Sequence, residues 1–429
     1  MAKEAEESAI SVDIAIAGKG LSAQVAALAL VDAGFSVALE QPVSNSGRGA
    51  LVSGDVAMDD WQAVVALSPD IKHMLATLGA MPDHFGRIDE MAIDVRRTQA
   101  DAPIRPDLIF HSLAPPDENT ADDQDGDRVA LAHIYSMSEL TRCIVTAVER
   151  SENISFIKNP IERFGNGAVT LSDGCRVSAL VCLDAAGRSS VLRDRAGINV
   201  LRGDYAQDAI VCWLKQTQPH HNIARQFFTP YGPLALLPLP SSHDVALVWS
   251  QQRARAHALI STSLEIFHHC LEEVVGIKTI KEIGPRQSTP LGYLLAEHFY
   301  QDGLILIGEA AHVVHPLAGQ GLNLTCRDIA LLVDTLKEAR HLGLGIRAET
   351  LLLGYAQQRH ADAAATLGLT HLLKQAFRPS SSQAVLAQAM RSFGGLIQDV
   401  PGLTKFFQEQ AAKGLGARAS LFAPHTSAD

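Results

Sequence analysis

Apolar positions along this chain switch between two periods, and the switches outline a fold. Ser11–Ala17 (SVDIAIA) is a short β-branched and apolar run that ends at Gly18, the pattern of a buried strand. Residues 21–33 then repeat Ala, Val and Leu at helical spacing and stop at Gly34. Residues 35–39 read as a second strand with Glu40 at its end. Strand, helix and strand in this order predict a parallel sheet covered by helices. Residues 178–184 (SALVCLD) and 304–308 (LILIG) are two further strand candidates, each leading into small residues and a turn. Between them, residues 224–239 and 245–249 predict strands of a separate, more antiparallel sheet. The simplest organisation is a sheet domain inserted between two parts of an α/β domain. From about residue 345 the period is helical: Val385, Leu386, Ala389, Met390, Phe393, Leu396 and Ile397 share one face, and Leu403, Phe406, Phe407 and Gln410 another.

Composition narrows the classes. At 429 residues and 47% hydrophobic, the chain has material for a large core and lacks the charge excess of a disordered one. A net charge of −11 argues against a nucleic-acid partner, which needs clustered Lys/Arg. Cys143, Cys175, Cys182, Cys212, Cys270 and Cys326 show no C-x-x-C pairing, which fits free thiols in a reducing compartment. Cys182 and Cys326 read as small core residues. Met1–Ser8 carries three glutamates and no apolar run follows a basic cap, so no signal peptide is expected, and no stretch is apolar enough to span a bilayer. The expected location is cytoplasmic, with any membrane contact peripheral at the inner membrane surface. Residues 117–127 (DENTADDQDGD) hold six acidic side chains, but without EF-hand register they read as a solvated loop. Residues 370–420 hold six Lys/Arg against two Asp/Glu, so the helical tail is basic on an acidic protein. Packing on the main body is the ordinary reading of its apolar faces; docking to a membrane or a lipid-carrying partner is the functional one.

Gly18-Lys19-Gly20-Leu21-Ser22-Ala23 has the G-x-G-x-x-G/A form. Gly18 allows the tight turn, Gly20 admits a pyrophosphate to the backbone, and Ala23 permits close helix–strand packing. The motif follows a strand and opens a helix, and Glu40 stands about 20 residues on, where a carboxylate would meet ribose hydroxyls. This context predicts a dinucleotide site. A second signature lies in residues 303–324, GLILIGEAAHVVHPLAGQGLNL. Here a buried strand delivers Gly308 and Glu309, and Pro316 with Gly319-Gln320-Gly321 opens another helix. Glu309 is placed to bond ribityl hydroxyls, while the amides of Gly321, Leu322 and Asn323 would direct a helix dipole at the pyrimidine edge of a flavin. His312 and His315 have a ligand-like spacing but no third ligand nearby, so no metal is expected.

The second segment resembles the matching FAD motif of the class A flavoprotein monooxygenases, most closely the aromatic ring hydroxylases of ubiquinone biosynthesis. Further matches run through Tyr205-Ala206-Gln207, Phe228-Thr229-Pro230, the block from Gly232 to Leu239, Val248-Trp249, Pro290-Leu291, and Tyr355, Arg359 and Asp362. The resemblance implies an α/β fold: a Rossmann-type FAD-binding domain (10–75, 131–197 and 296–345), an inserted mixed or antiparallel β-sheet substrate domain (76–130 and 198–295), and a C-terminal helical region (346–420). It also implies FAD, an NADH or NADPH electron donor, O2, and hydroxylation of an aromatic ring, in this branch a polyprenyl phenol. Phe228, Leu236, Pro238 and Trp249 are expected to form the apolar substrate pocket. Other ubiquinone-biosynthesis proteins are the implied partners, and no residue is singled out as a catalytic acid or base.

Three positions depart from the family pattern. Ala186 in Ala185-Ala186-Gly187-Arg188-Ser189-Ser190 replaces an aspartate, Glu309 replaces Asp or Asn, and Gln62 or Ala63 stands where an arginine usually reaches the FAD. Arg48 is another cation near that place. These losses support an alternative, a flavin-poor homologue with a structural or regulatory part in a biosynthetic assembly. A flavin halogenase is disfavoured, because Trp61, Trp213 and Trp249 form no W-x-W pair.

Overall fold

The structure is a computed structural model that describes residues 11–41, 58–95, 108–111, 129–229, 231–276, 280–315, 320–376 and 419–422. Arg48, the acidic segment 117–127, Pro316, Gly319 and the amphipathic faces between 385 and 410 lie outside the described residues.

In chain order the first elements are β1 (Ser11–Ala17), α1 (Leu21–Asp32), β2 (Val37–Glu40), β3 (Val64–Leu67), α2 (Pro69–Thr77), β4 (Gly86–Ile88), β5 (Glu90–Val95) and β6 (Leu108–His111). Next come β7 (Ala132–Ser136), α3 (Met137–Arg150), β8 (Ile154–Ile157), β9 (Ile161–Gly165), β10 (Ala168–Leu171), β11 (Arg176–Asp184) and the short α4 (Val191–Arg195). The inserted part runs through β12 (Val200–Gln216), β13 (Ile223–Thr229), β14 (Gly232–Pro238), β15 (Asp244–Gln252), α5 (Arg253–Ser261), α6 (Leu264–Val275), β16 (Ile280–Ile283) and β17 (Gln287–Ala296). The chain then returns as β18 (Tyr300–Gln301), β19 (Leu304–Leu306), β20 (His312–Val313), α7 (Gln320–His341) and α8 (Glu349–Ala376).

The first sheet has a spine of strand order β18-β19-β11-β1-β2-β8. Its four central strands are parallel, with Ala17 beside Asp184 and Asp184 beside Leu306. Three chain segments therefore leave the sheet at one level, from the carboxyl ends of adjacent strands, where open α/β sheets bind ligands. Helix α1 covers this sheet. Its residues from Ala23 to Leu30 are all buried, and Ala23, Ala26, Ala27 and Ala29 let the neighbouring layers approach closely.

The second sheet, β20-β17-β12-β15-β14-β13-β5-β6, is antiparallel except where β13 runs parallel to β5. Strand side chains alternate between faces. One face sends Phe227, Leu234, Leu236, Leu247 and Trp249 into a core with Phe267 and Leu271 of α6. The alternate positions point the other way, toward the first domain. A small sheet, β3-β7-β4, bridges the two bodies, and Trp61, Ile88 and Ile134 share a core with Trp213, Ala224 and Ala246. The expected division near residues 76 and 131 thus runs through this sheet, because β4 pairs with β7.

Candidate functional site: three motif loops facing an apolar wall

Two glycines hold the three loops together. Gly18 adopts φ +114°, and a Cβ there would lie 2.4 Å from the carbonyl oxygen of Ala185, so only glycine lets the first loop rest on the second. Gly308 adopts φ +57°, and a Cβ there would come within 2.8 Å of the Ser22 hydroxyl. The loop after β19 is thereby seated against the start of α1. The loop after β11 is fixed by Asp184, which is fully buried and accepts from the Ala186 amide at 3.0 Å and from the Ser190 hydroxyl. Burial pushes the Asp184 carboxyl above its usual range, against the pull of those donors. The carboxylate missing at residue 186 has a neighbour two positions earlier that holds the loop's shape.

Behind the third loop lies a buried ionic chain. His312 Nε2 is 2.6 Å from Asp328 Oδ2, the Gly308 amide donates to the same oxygen at 3.2 Å, and Arg359 Nε donates to Asp328 Oδ1 at 2.7 Å. Arg359 Nη1 also donates to Asp362 at 2.7 Å. Burial would raise the Asp328 carboxyl, but the His312 and Arg359 side chains outweigh it and hold it below the usual carboxylate range. This network anchors the third loop to α7 and α8, so His312 serves Asp328.

A cavity of about 520 Å³ opens in front of these loops. One end is lined by Leu21 and Ser22 of α1, Arg188, Glu309, and Gly321 and Leu322 of α7. The other end is an apolar wall that includes Val64, Ala209, Ala224, Ala235, Leu237 and Val248. The expected pocket residues Leu236 and Trp249 do not line it. Both occupy the opposite register of their strands, and Trp249 packs edge-on to Phe267 with ring centres 6.0 Å apart. Pro238 is buried where β14 meets β4, its carbonyl 2.0 Å from where a Cβ on Gly86 would stand. Phe228 is buried near the end of β13 and is also absent from the lining. Large side chains fill the helix-covered face, and small ones leave the cavity open. Reading the strands at period two from Val248 and Leu237 would have found the wall; ranking residues by size does not.

The remaining predicted site residues divide into backbone and side-chain roles. Gly20 precedes α1 in extended conformation with no side-chain cap, and neither it nor Gly321 has a heavy atom within 4 Å of a built Cβ. Unfilled space beside uncapped amides at α1, and beside the first turn of α7, fits the phosphates and anionic ring edge of FAD. Ala23 is buried in the core. Gln320 opens α7 and accepts weakly from Arg327 at 3.4 Å. The Asn323 side chain braces the site, accepting from the Ser68 amide at 3.0 Å and donating to the Ala66 carbonyl at 2.7 Å. Glu40 is buried and accepts from the Ile161 amide at 2.6 Å, so a ribose contact would fall to its other oxygen. Gln62 accepts from Gln287 of β17. Arg188, which sequence reasoning did not assign, enters the cavity from the loop whose motif it belongs to.

Comparison with known proteins gives a consistent picture. A family described as FAD binding domain matches residues 176–370. The chain is 29% identical over 406 residues to ubiquinone hydroxylase UbiL of Rhodospirillum rubrum, covering 93% of this chain and 89% of that protein. It is 32% identical over 262 residues to the mitochondrial ubiquinone biosynthesis monooxygenase COQ6 of Rattus norvegicus, spanning 53% of this chain and 54% of that one. Among solved structures, the probable FAD-dependent monooxygenase pqsL of Pseudomonas aeruginosa superposes with a TM-score of 0.67 at 18% identity, over 91% of this chain and all of that one, a likeness of fold.

Proposed function

We propose that the chain is a class A FAD-dependent monooxygenase that hydroxylates the aromatic ring of a polyprenyl phenol in ubiquinone biosynthesis, with NADH or NADPH as electron donor. The observation that carries this reading is the single cavity joining two uncrowded helix starts to a wall of small apolar side chains. Bound FAD would supply reducing power and O2 activation, chemistry no side chain of the chain can perform. The amides of Leu21, Ser22 and Ala23 would hold its pyrophosphate, and the first turn of α7 would favour negative charge on the ring. The wall of Ala209, Ala224, Ala235 and Val248 receives a flat ring and keeps water away from the reacting atoms. Rigidity comes from below, through Asp328 and Asn323.

A prenylated substrate lives in a bilayer, which supports peripheral membrane association and assembly with other proteins of the same pathway. No helix among the described residues is long and apolar enough to cross a membrane. The test is purification with flavin content read by absorbance, then NAD(P)H consumption with a prenylated phenol and mass analysis of the product. Bound FAD and a product heavier by one oxygen are expected. A colourless protein that refuses added FAD would sink the assignment.

A further inference from the structure

Glu309 does not stand alone in the cavity. Its Oε2 accepts from Arg188 Nε at 3.2 Å and its Oε1 from Arg188 Nη2 at 3.1 Å, a two-pronged pair. The partners come from different loops, Arg188 after β11 and Glu309 after β19, and both line the cavity with Leu21 and Ser22 at the start of α1. Beneath them the fully buried Arg193 ties the same two loops, Nη2 donating to the Arg188 carbonyl at 3.0 Å and Nη1 to the Ala310 carbonyl at 3.1 Å. The frame that presents the pair is therefore fixed, while the pair itself is about half exposed, at 49% and 54%.

A carboxylate facing a pyrophosphate is repulsive unless a cation stands between them. Glu309 is longer by one methylene than the Asp or Asn of the family pattern, and that length lets both its oxygens meet the guanidinium. The usual arginine is absent at residues 62–63, where Gln62 is engaged with Gln287. We infer that Arg188, oriented by Glu309, supplies the positive charge for the pyrophosphate of the bound dinucleotide in place of that missing arginine. The inference rests on the FAD reading above. A guanidinium suits the role because its fork can serve a carboxylate and a phosphate together, which a point-like ammonium cannot.

The experiment measures binding of FAD and of riboflavin, which lacks the pyrophosphate, to the full-length protein stripped of flavin, by quenching of flavin fluorescence. Arg188→Ala is expected to weaken FAD about ten- to a hundredfold and riboflavin less than about twofold, with Arg188→Lys between wild type and Arg188→Ala for FAD. Melting temperature of the flavin-free variants should match wild type, since an exposed pair contributes little to stability. Glu309→Gln should change FAD affinity in the wild-type background and not in Arg188→Ala. Unchanged FAD affinity in Arg188→Ala overturns the inference, as does equal loss of FAD and riboflavin, or a loss that follows Arg48→Ala instead. Wild-type protein that takes up no FAD overturns the functional reading and this inference with it.

Discussion

On the loop side of the cavity, room is made by backbone; on the sheet side, by the shortness of side chains. Gly18 and Gly308 bring three loops into contact through φ values and approaches that no Cβ tolerates. On the opposite wall Ala209, Ala224 and Ala235 stop short of the space they face. One construction specifies a dinucleotide through amide donors at fixed positions. The other, on the reading proposed above, would admit an apolar ring by volume alone. A phosphate cradle and a ring pocket ask for different physics, and the chain supplies each from a different sheet.

The largest effect should come from the buried face of the wall. Trp249→Ala is expected to cost about 3–5 kcal/mol of stability, since it empties the core against Phe267. Chemical denaturation measures that loss, and FAD affinity per folded molecule should stay at the wild-type value. If substrate KM moved while stability did not, Trp249 would belong to the cavity and the two faces of the sheet would have been exchanged.

Gly20→Glu tests the cradle. The open space around Gly20 accepts the new side chain without a clash, so the fold should persist. Bulk and negative charge at the amides should weaken FAD by about a hundredfold or more, close to 3 kcal/mol. Calorimetric titration decides it; a fully loaded mutant would remove the α1 start from the site.

The contrast also explains what the sequence revealed. The βαβ start, the motif glycines and the insertion of a second sheet were legible because each turns on a local rule, a period or a residue without Cβ. The sequence predicts strands over residues 224–239, and the structure divides them into β13 and β14 around a turn. Leu236 and Trp249 fall outside the cavity because the face of a strand depends on which neighbour covers it, here α6. Arg188 was missed because its partner Glu309 lies 121 residues away, beyond any local pattern. The braces at Asp184 and Asn323 are equally non-local in effect. Chemistry was readable at the loops, and the shape of the wall was not.

A smaller effect separates ring pocket from cradle directly. Ala235→Phe extends a side chain from the wall into the cavity. Substrate KM should rise about tenfold, near 1.4 kcal/mol, with FAD affinity unchanged. Parallel loss of FAD would mean that the two ends share space.

The smallest effect concerns pH and the bridge between the two bodies. His133 sits on β7, the central strand of the small sheet, with its ring edge-on to Phe85 at 5.1 Å and Lys72 Nζ 3.4 Å from Nε2. Burial, reinforced by the charges of Lys72 and Arg87, pushes its pKa down to about 3. The unfolded chain takes up a proton near pH 6.5 that the folded protein refuses. Stability from neutral His133 is therefore complete above about pH 6.5 and declines as pH falls, by about 1 kcal/mol between pH 6.5 and 5.5. On the cradle side Asp328 has a lowered pKa, so its contribution holds until the pH drops below the ordinary carboxylate range near 4. The bridge should thus soften two pH units before the cradle does. Hydrogen exchange corrected for intrinsic rates should show β7 amides losing protection across that window while α7 amides keep theirs, and His133→Gln should flatten the slope. Equal slopes in wild type and variant would show that the imidazole is not the group responsible.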